Sequence, residues 1–266
     1  MDPILLPAHN PGPMTGSGNN TYLLVSRREA ALVDAGVGHH DHLGDLRAAL
    51  DETGARLARV AVTHGHPDHA SGAPAIARAH PAAAFVKYPW ASEDAKYPVR
   101  WCAIDEGDEI GVGDAAIVAL RTPGHSPDHL SFWDDASGAA YTGDLVVAGS
   151  SVMIHASRGG HLGDYMASLE RLLLLGPRVL YPAHGARIDD PPKVLTEYLA
   201  HRRMRERQVI EALRAGHADI DAIAGAIYRE VDPALMPAAR ENVRAHLEKL
   251  RADGVAVDDG GRWQLS

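Results

Sequence analysis

The sequence is organised around the stretch Thr63-His64-Gly65-His66-Pro67-Asp68-His69. It directly follows Val60-Ala61-Val62, an apolar run that predicts a short buried strand. Gly65 permits a tight bend and Pro67 excludes a regular strand or helix interior, so the side chains can converge at the strand end. Neutral imidazole and carboxylate are the groups that bind zinc where no thiolate is offered. The stretch therefore predicts a metal site, with a histidine-rich surface loop as the alternative.

Polar side chains also follow three later apolar runs, each where a strand is predicted to end. His125 lies in a turn broken by proline and glycine, Asp144 follows the run that begins at Ala139, and His184 follows the run that begins at Val179. Separate strand ends that each deliver a histidine or an aspartate indicate one shared site.

An earlier pair of apolar runs, Asn19 to Val25 and Ala31 to Ala35, predicts a hairpin. Asp34 ends the second run, where it could cap a turn or orient a metal-bound imidazole. The nearby His39, His40 and His42 precede a segment with helical spacing, and we expect them in solvent at a helix start.

Composition limits the classes of function. Of the 266 residues, 26 are Lys or Arg and 35 are Asp or Glu, so the net charge of −9 disfavours a protein that wraps nucleic acid over its whole surface. Residues 191–266 contain 12 Lys or Arg and 12 Asp or Glu, so the whole excess of acidic over basic residues lies in residues 1–190. The single Cys102 cannot form an internal disulfide, and we expect it to fill core space beside Trp101.

No apolar stretch approaches the length of a membrane span, and the longest aliphatic block is Leu172 to Leu175. The first residues lack the basic region and apolar core of a secretory signal. We therefore expect a cytoplasmic protein with no membrane partner.

The pattern changes at Pro191-Pro192 from strand-like to helical. Apolar residues recur at helical spacing over Pro192 to Ala215, Asp219 to Tyr228 and Ala234 to Asp253. A final segment with Gly260-Gly261 predicts a small hairpin. Three helices and a hairpin outline a winged-helix unit, so we expect two domains, 1–190 and 191–266.

The motifs containing His64 to His69, Pro123-Gly124-His125, Thr142-Gly143-Asp144 and Pro182-Ala183-His184 resemble those of the metallo-β-lactamase-fold hydrolase superfamily in order and approximate spacing. The resemblance implies an α/β fold, an αββα sandwich with the metal site at its loop edge. It implies that one metal ion is held by His64, His66 and His125, a second by Asp68, His69 and His184, and that Asp144 bridges the two. Two Zn²⁺ ions are expected, with Mn or Fe still open, and Asp68 would both ligate and orient the nucleophile.

His129 and Asp34 are the candidates for residues that hydrogen-bond to the metal ligands and orient them. Asp128 and Ser126 are interpreted as turn residues. The segments at Tyr165, His201 and Asn242 to Leu250 extend the resemblance to the β-lactamase-like protein 2 subgroup. That subgroup is associated with single-strand endoribonuclease activity in animals, while bacterial and fungal relatives include thioesterases.

Three functions follow from these observations. The first is a dinuclear zinc hydrolase that uses a metal-bridging hydroxide on a small-molecule ester, thioester, lactone or amide. The second is a metal-dependent single-strand endoribonuclease, with RNA as the partner of an arginine cluster formed by Arg202, Arg203, Arg205 and Arg207. The third is an inactive binding module. A small-molecule substrate is the first expectation, and a homodimer is left open.

Overall fold

The computed structural model describes residues 1–13, 15–149 and 151–266. The chain forms two compact units. The first contains Met1–Thr122, Asp128–Ser151 and Leu175–Pro192, and the second contains Pro123–Pro127, Val152–Leu174 and Lys193–Ser266. The expected domain boundary lies after residue 190, which would place Pro123–Pro127 and Val152–Leu174 in the first domain. In the structure these two segments belong to the second unit, so each unit is built from several separate segments of the chain.

The first unit contains a six-stranded sheet, in the order β1-β2-β3-β4-β5-β6. Its strands are Ile4–Pro7, Asn20–Ser26, Glu29–Val33, Arg56–Ala61, Ala84–Lys87 and Trp101–Ala103. Strands β1, β2 and β3 pair antiparallel, and β3 to β6 pair in parallel. The expected hairpin is formed by β2 and β3, with Tyr22 opposite Val33. The carboxyl ends of β3 and β4 therefore meet at one edge of the sheet.

The second sheet of this unit has the order β11-β10-β9-β8-β7. Its strands, from β7 to β11, are Glu109–Val112, Ala115–Arg121, Leu130–Asp134, Ala139–Gly143 and Val179–Pro182. In this sheet β10 and β11 pair in parallel, and the other neighbouring strands pair antiparallel.

Side chains that alternate along the strands build two apolar layers. Leu24, Val33 and Val86 of the first sheet pack with Ile117 and Phe132 of the second, so the sheets lie face to face. The opposite face of the first sheet, with Leu23, Leu32 and Val60, packs with residues of the helices α1 (His40–Thr53) and α3 (Ala73–Ala79). The short helices α2 (Pro67–Ala70) and α4 (Ala91–Asp94) complete the unit.

The structure corrects two expectations. His42 is buried and not in solvent, because α1 begins at His40 and places His42 on the same helix face as Leu46 and Leu50. Cys102 is exposed and not core filler, because it lies on β6, an edge strand of the first sheet.

The second unit is mostly helical. Its helices are α5 (Leu162–Leu175), α6 (Pro191–Arg214), α7 (Ile220–Ile227) and α8 (Met236–Ala252), followed by the antiparallel pair β12 (Ala256–Asp259) and β13 (Arg262–Leu265). Val209, Ile223, Val243, Leu247 and Trp263 form its core, as expected for three helices and a hairpin that pack together. Within the described ranges, no helix has the length and apolar character needed to cross a membrane.

Candidate metal centre

The candidate site of the first unit is assembled from residues that directly follow strands. Asp34 follows β3, the stretch from Val62 to His66 follows β4, Asp144 follows β10, and His184 lies just beyond β11. Pro67 is the first residue of α2, where its missing N–H requires no partner. The loop thus leads directly into a helical turn that carries Asp68 and His69.

Two groups of donor atoms form at these strand ends. They are His64, His69 and Asp144, and Asp68, His69 and His184, and in each group the donor atoms lie within 4.8 Å of one another. A third group of the same unit, His39, His40 and Asp41, lies at the start of α1. The Nε2 atom of His69 is 3.5 Å from an oxygen of Asp68 and 3.5 Å from an oxygen of Asp144. His184 Nε2 is 3.2 Å from the same Asp144 oxygen. His66 stands beside the first group, with its Nδ1 atom 2.9 Å from His64 Nε2.

His125 lies in Pro123–Pro127, which belongs to the second unit. Its Nδ1 atom is 3.1 Å from the carbonyl oxygen of Met153, to which it can donate a hydrogen bond. That bond would leave Nε2 as the metal-binding nitrogen. The grouping of His125 with His64 and His66 stays a prediction.

Asp34 fixes the orientation of His69. Its Oδ2 atom is 2.8 Å from His69 Nδ1, and its Oδ1 atom accepts hydrogen bonds from the backbone N–H and the hydroxyl of Thr63 at 2.8 and 2.9 Å. A proton held on Nδ1 leaves the lone pair of His69 on Nε2, which faces the donor group. The Asp34 backbone has a φ of 63°, so the chain adopts an unfavourable conformation where this carboxylate is placed.

His129 supports the loop that carries Asp144. Its Nε2 atom accepts a hydrogen bond from the backbone N–H of Asp144 at 3.1 Å, so its proton resides on Nδ1, 2.9 Å from the hydroxyl of Thr122. Gly143 is required here, because its φ is 48° and a Cβ atom would lie 2.8 Å from His129 Nε2. These contacts give His129 a positioning role.

Three residues of the site were missed or misassigned from the sequence. Asp128 is buried and not merely a turn residue, because its Oδ2 atom accepts a hydrogen bond from the backbone N–H of Gly65 at 2.7 Å. The same oxygen lies 3.1 Å from the ammonium of Lys87, which is 1 % exposed. Asn19 contacts Asp68 at 3.0 Å. One signal was available for Asn19, because the start of β2 must lie beside the end of β3 in the predicted hairpin.

The carboxylates and imidazoles of the site shift one another's pKa values toward their charged forms. Burial alone would raise the pKa of Asp68, but the imidazoles of His69 and His184 hold it well below its usual range. Burial lowers the pKa of His184, yet Asp144 and Asp68 outweigh it and raise the pKa to about 9. The pKa of His69 is likewise raised, against its burial, by the carboxylates of Asp68, Asp34 and Asp144.

This donor set fits a divalent metal ion. Imidazole nitrogen and carboxylate oxygen are the ligands that zinc takes without cysteine, and the oriented His69 supplies its lone pair to the centre. Since the ligands must be deprotonated, a metal ion would replace the protons that the carboxylates hold on the imidazoles.

Comparison with known proteins agrees with this geometry. Residues 14–184 match a family model described as the metallo-beta-lactamase superfamily, and residues 220–263 match one described as a beta-lactamase associated winged helix domain. A beta-lactamase-like protein 2 homolog of Caenorhabditis elegans is 32% identical over 251 residues, which cover 93% of this chain and 83% of that protein.

Among solved structures, a metallo-beta-lactamase family protein of Thermus thermophilus superimposes with a TM-score of 0.79 at 23% identity, and the match covers 99% of this chain and 98% of that one. This match confirms the fold. A second structure, described as a di-iron-bound form, has a TM-score of 0.57 at 26% identity over 76% of this chain and 98% of its own.

Proposed function

Because the chain belongs to the metallo-β-lactamase superfamily, a family of generally metal-dependent hydrolases, we propose that it is a dinuclear zinc hydrolase of small organic esters, thioesters, lactones or amides. The observation that carries the proposal is the donor set of the first unit: His64, His66, Asp68, His69, Asp144 and His184. Six side chains exceed the four ligands of a single tetrahedral zinc ion, which supports two ions.

The bound metal ions would supply Lewis acidity and lower the pKa of water at the site. The protein residues orient the metal ligands. Asp34 keeps the lone pair of His69 on Nε2, and His129 holds the backbone of Asp144. The Asp68 side chain is 25% exposed, so it can face a substrate, and its depressed pKa keeps it ionised, as a metal ligand must be, at neutral pH.

An aromatic side chain beside the donors supports an organic substrate. The indole of Trp90 lies 6.2 Å from the His66 ring, centroid to centroid, and is half-buried. Its backbone N–H donates to Asp94 at 2.9 Å, which fixes the start of α4. Trp101, by contrast, packs against Phe85 in the core and is not part of this wall. Trp90 therefore offers an apolar wall to an acyl or aryl group.

The arginine cluster offers weak support for RNA cleavage. Arg202 is fully buried, and its guanidinium donates to Asn242 at 3.0 Å and to the carbonyl of Val152. Arg203 pairs with Glu170 at 2.7 Å, and Arg205 lies over the ring of Tyr228. Phosphate binding needs accessible cations, and of the four arginines only Arg203 and Arg207 are exposed, so the endoribonuclease is the second choice.

Two measurements test the proposal. Elemental analysis of zinc-replete protein should give two ions per chain, and only trace metal would remove the basis for catalysis. The second measurement is kcat/KM for a panel of acyl thioesters, esters and lactones and for single-stranded RNA, at two salt concentrations. We expect the acyl substrates to have the higher kcat/KM. Inert acyl substrates together with RNA cleavage that weakens steeply with salt would select the endoribonuclease, and metal binding without any turnover would select the binding module.

A further inference from the structure

The side-chain amide of Asn19 points into the candidate metal centre. Its Nδ2 atom lies 3.0 Å from Asp68 Oδ2, 3.4 Å from His69 Nε2 and 3.5 Å from His184 Nε2. Asn19 is 2% exposed. The amide therefore contacts all three members of the donor group Asp68, His69 and His184.

A second asparagine fixes the direction of this amide. The Nδ2 atom of Asn10 donates to Asn19 Oδ1 at 2.8 Å, and the backbone N–H of Asn19 donates to Asn10 Oδ1 at 2.9 Å. Since Asn10 must present its oxygen to that backbone N–H, its NH₂ group faces Asn19. The Asn19 oxygen must then face Asn10, and the Asn19 NH₂ group must face Asp68.

The intervening turn supports this pairing. The hydroxyl of Thr15 donates to the carbonyl of Asn10 at 2.7 Å. Gly18 has a φ of 110°, and a Cβ atom there would lie 3.2 Å from Asn10 Oδ1, so this position suits a residue without a side chain. The backbone thus allows the two amides to approach each other closely.

We propose that Asn19, oriented by Asn10, is a positioning residue that holds Asp68 Oδ2 toward His69 and His184 and so raises the affinity of this donor group for a divalent metal ion. The proposal rests on the proposed function, because it concerns one of the two metal ions. A carboxylate held by a charge-assisted hydrogen bond loses less rotational freedom when it binds a metal. Removing such a supporting contact typically costs about 10–100-fold in metal affinity.

The test is a titration of metal-free protein with Zn²⁺ against a competing chelator, repeated with Co²⁺ and followed by visible absorption. Asn19→Leu replaces the amide with an apolar group of similar size, and Asn10→Ala removes only the orienting partner. Gln264→Leu is the matched control, because this exposed amide lies on β13 of the second unit. We expect Asn19→Leu to weaken one of the two binding steps by about 10–100-fold and leave the other unchanged.

Asn10→Ala should weaken the same step by a smaller factor, and it serves as the reporter should Asn19→Leu fail to fold. The Co²⁺ spectrum should change for that one step only, which a general loosening of the fold would not produce. Wild-type affinity at both steps in the variants, or an equal loss at both, overturns this inference alone. A wild-type chain that binds no zinc overturns the proposed function as well.

Discussion

The backbone N–H of Gly65 donates a hydrogen bond to the carboxylate of Asp128 at 2.7 Å, across 63 residues of sequence. Gly65 lies between the histidines of the central stretch, and a Cβ atom there would be 2.8 Å from Glu93 Cβ. Lys87 approaches the same carboxylate at 3.1 Å and also contacts Asp94 at 2.5 Å. A buried ion pair therefore holds the loop that presents His64 and His66.

Asp128→Ala should lower the free energy of unfolding by about 3 kcal/mol, because it leaves a buried ammonium with only part of its compensation. Urea denaturation of metal-free protein measures this loss. Asp51→Ala, on the exposed face of α1, is the control and should change stability by no more than about 0.5 kcal/mol. If Asp128→Ala lowered the free energy of unfolding by no more than Asp51→Ala does, Asp128 would be only a turn residue.

Asp68→Ala should reduce hydrolysis by at least ~10² and reduce bound zinc toward one ion per chain, because it removes both a metal donor and the carboxylate expected to orient the nucleophile. Steady-state kinetics and elemental analysis check the two effects together. Asp51→Ala, on the exposed face of α1 and outside these donor groups, should leave both unchanged. Parental activity in the Asp68 variant would refute its assignment.

Trp90→Ala should raise KM about fivefold for esters with a bulky acyl or aryl group, since an aromatic contact contributes about 1 kcal/mol. Small acetyl esters should keep their KM, and Trp90→Phe should retain most of the preference for bulky substrates. The measurement is kcat and KM for matched pairs of large and small esters. Equal losses on both members of each pair would show that Trp90 does not contact the substrate.

His42 should make the first unit sensitive to acid. Burial lowers its pKa to about 4, and its Nε2 atom is 2.8 Å from the hydroxyl of Thr21. Between pH 6.5 and 4 the unfolded chain binds a proton that the folded chain does not, so stability falls as the pH falls through this window and is fully present above it. The full shift corresponds to about 3 kcal/mol.

The comparison of unfolding free energies at about pH 7 and about pH 4.5, in the presence of a chelator, isolates this effect from metal binding. His42→Leu removes the ionisable group from the buried position. Its stability should therefore fall less over the same interval than the stability of the parent. An identical pH dependence in both proteins would show that His42 titrates normally in the folded chain.

The sequence was informative where a short segment carries its own signal. Gly65 and Pro67 beside three histidines, and strand ends that carry Asp144 and His184, predicted the donor set of the first unit because each signal lies within a few residues. Asn19, Lys87 and Asp128 act through partners that are far apart in the chain, and no local pattern encodes such pairs. The burial of His42 was missed for a related reason, since the helix start alone does not tell which face meets the sheet.

The candidate ligands follow strands of both sheets: β4 of the first, and β10 and β11 of the second. They come together only when the two sheets are packed, so the unfolded chain presents no comparable binding site. By mass action, an ion that binds only the native state stabilises it by RT ln(1 + [L]/Kd), or about 2.7 kcal/mol at a hundredfold excess over Kd. The melting temperature of this protein should then depend on the free zinc concentration, and a thermal scan against buffered zinc would measure metal affinity without any substrate.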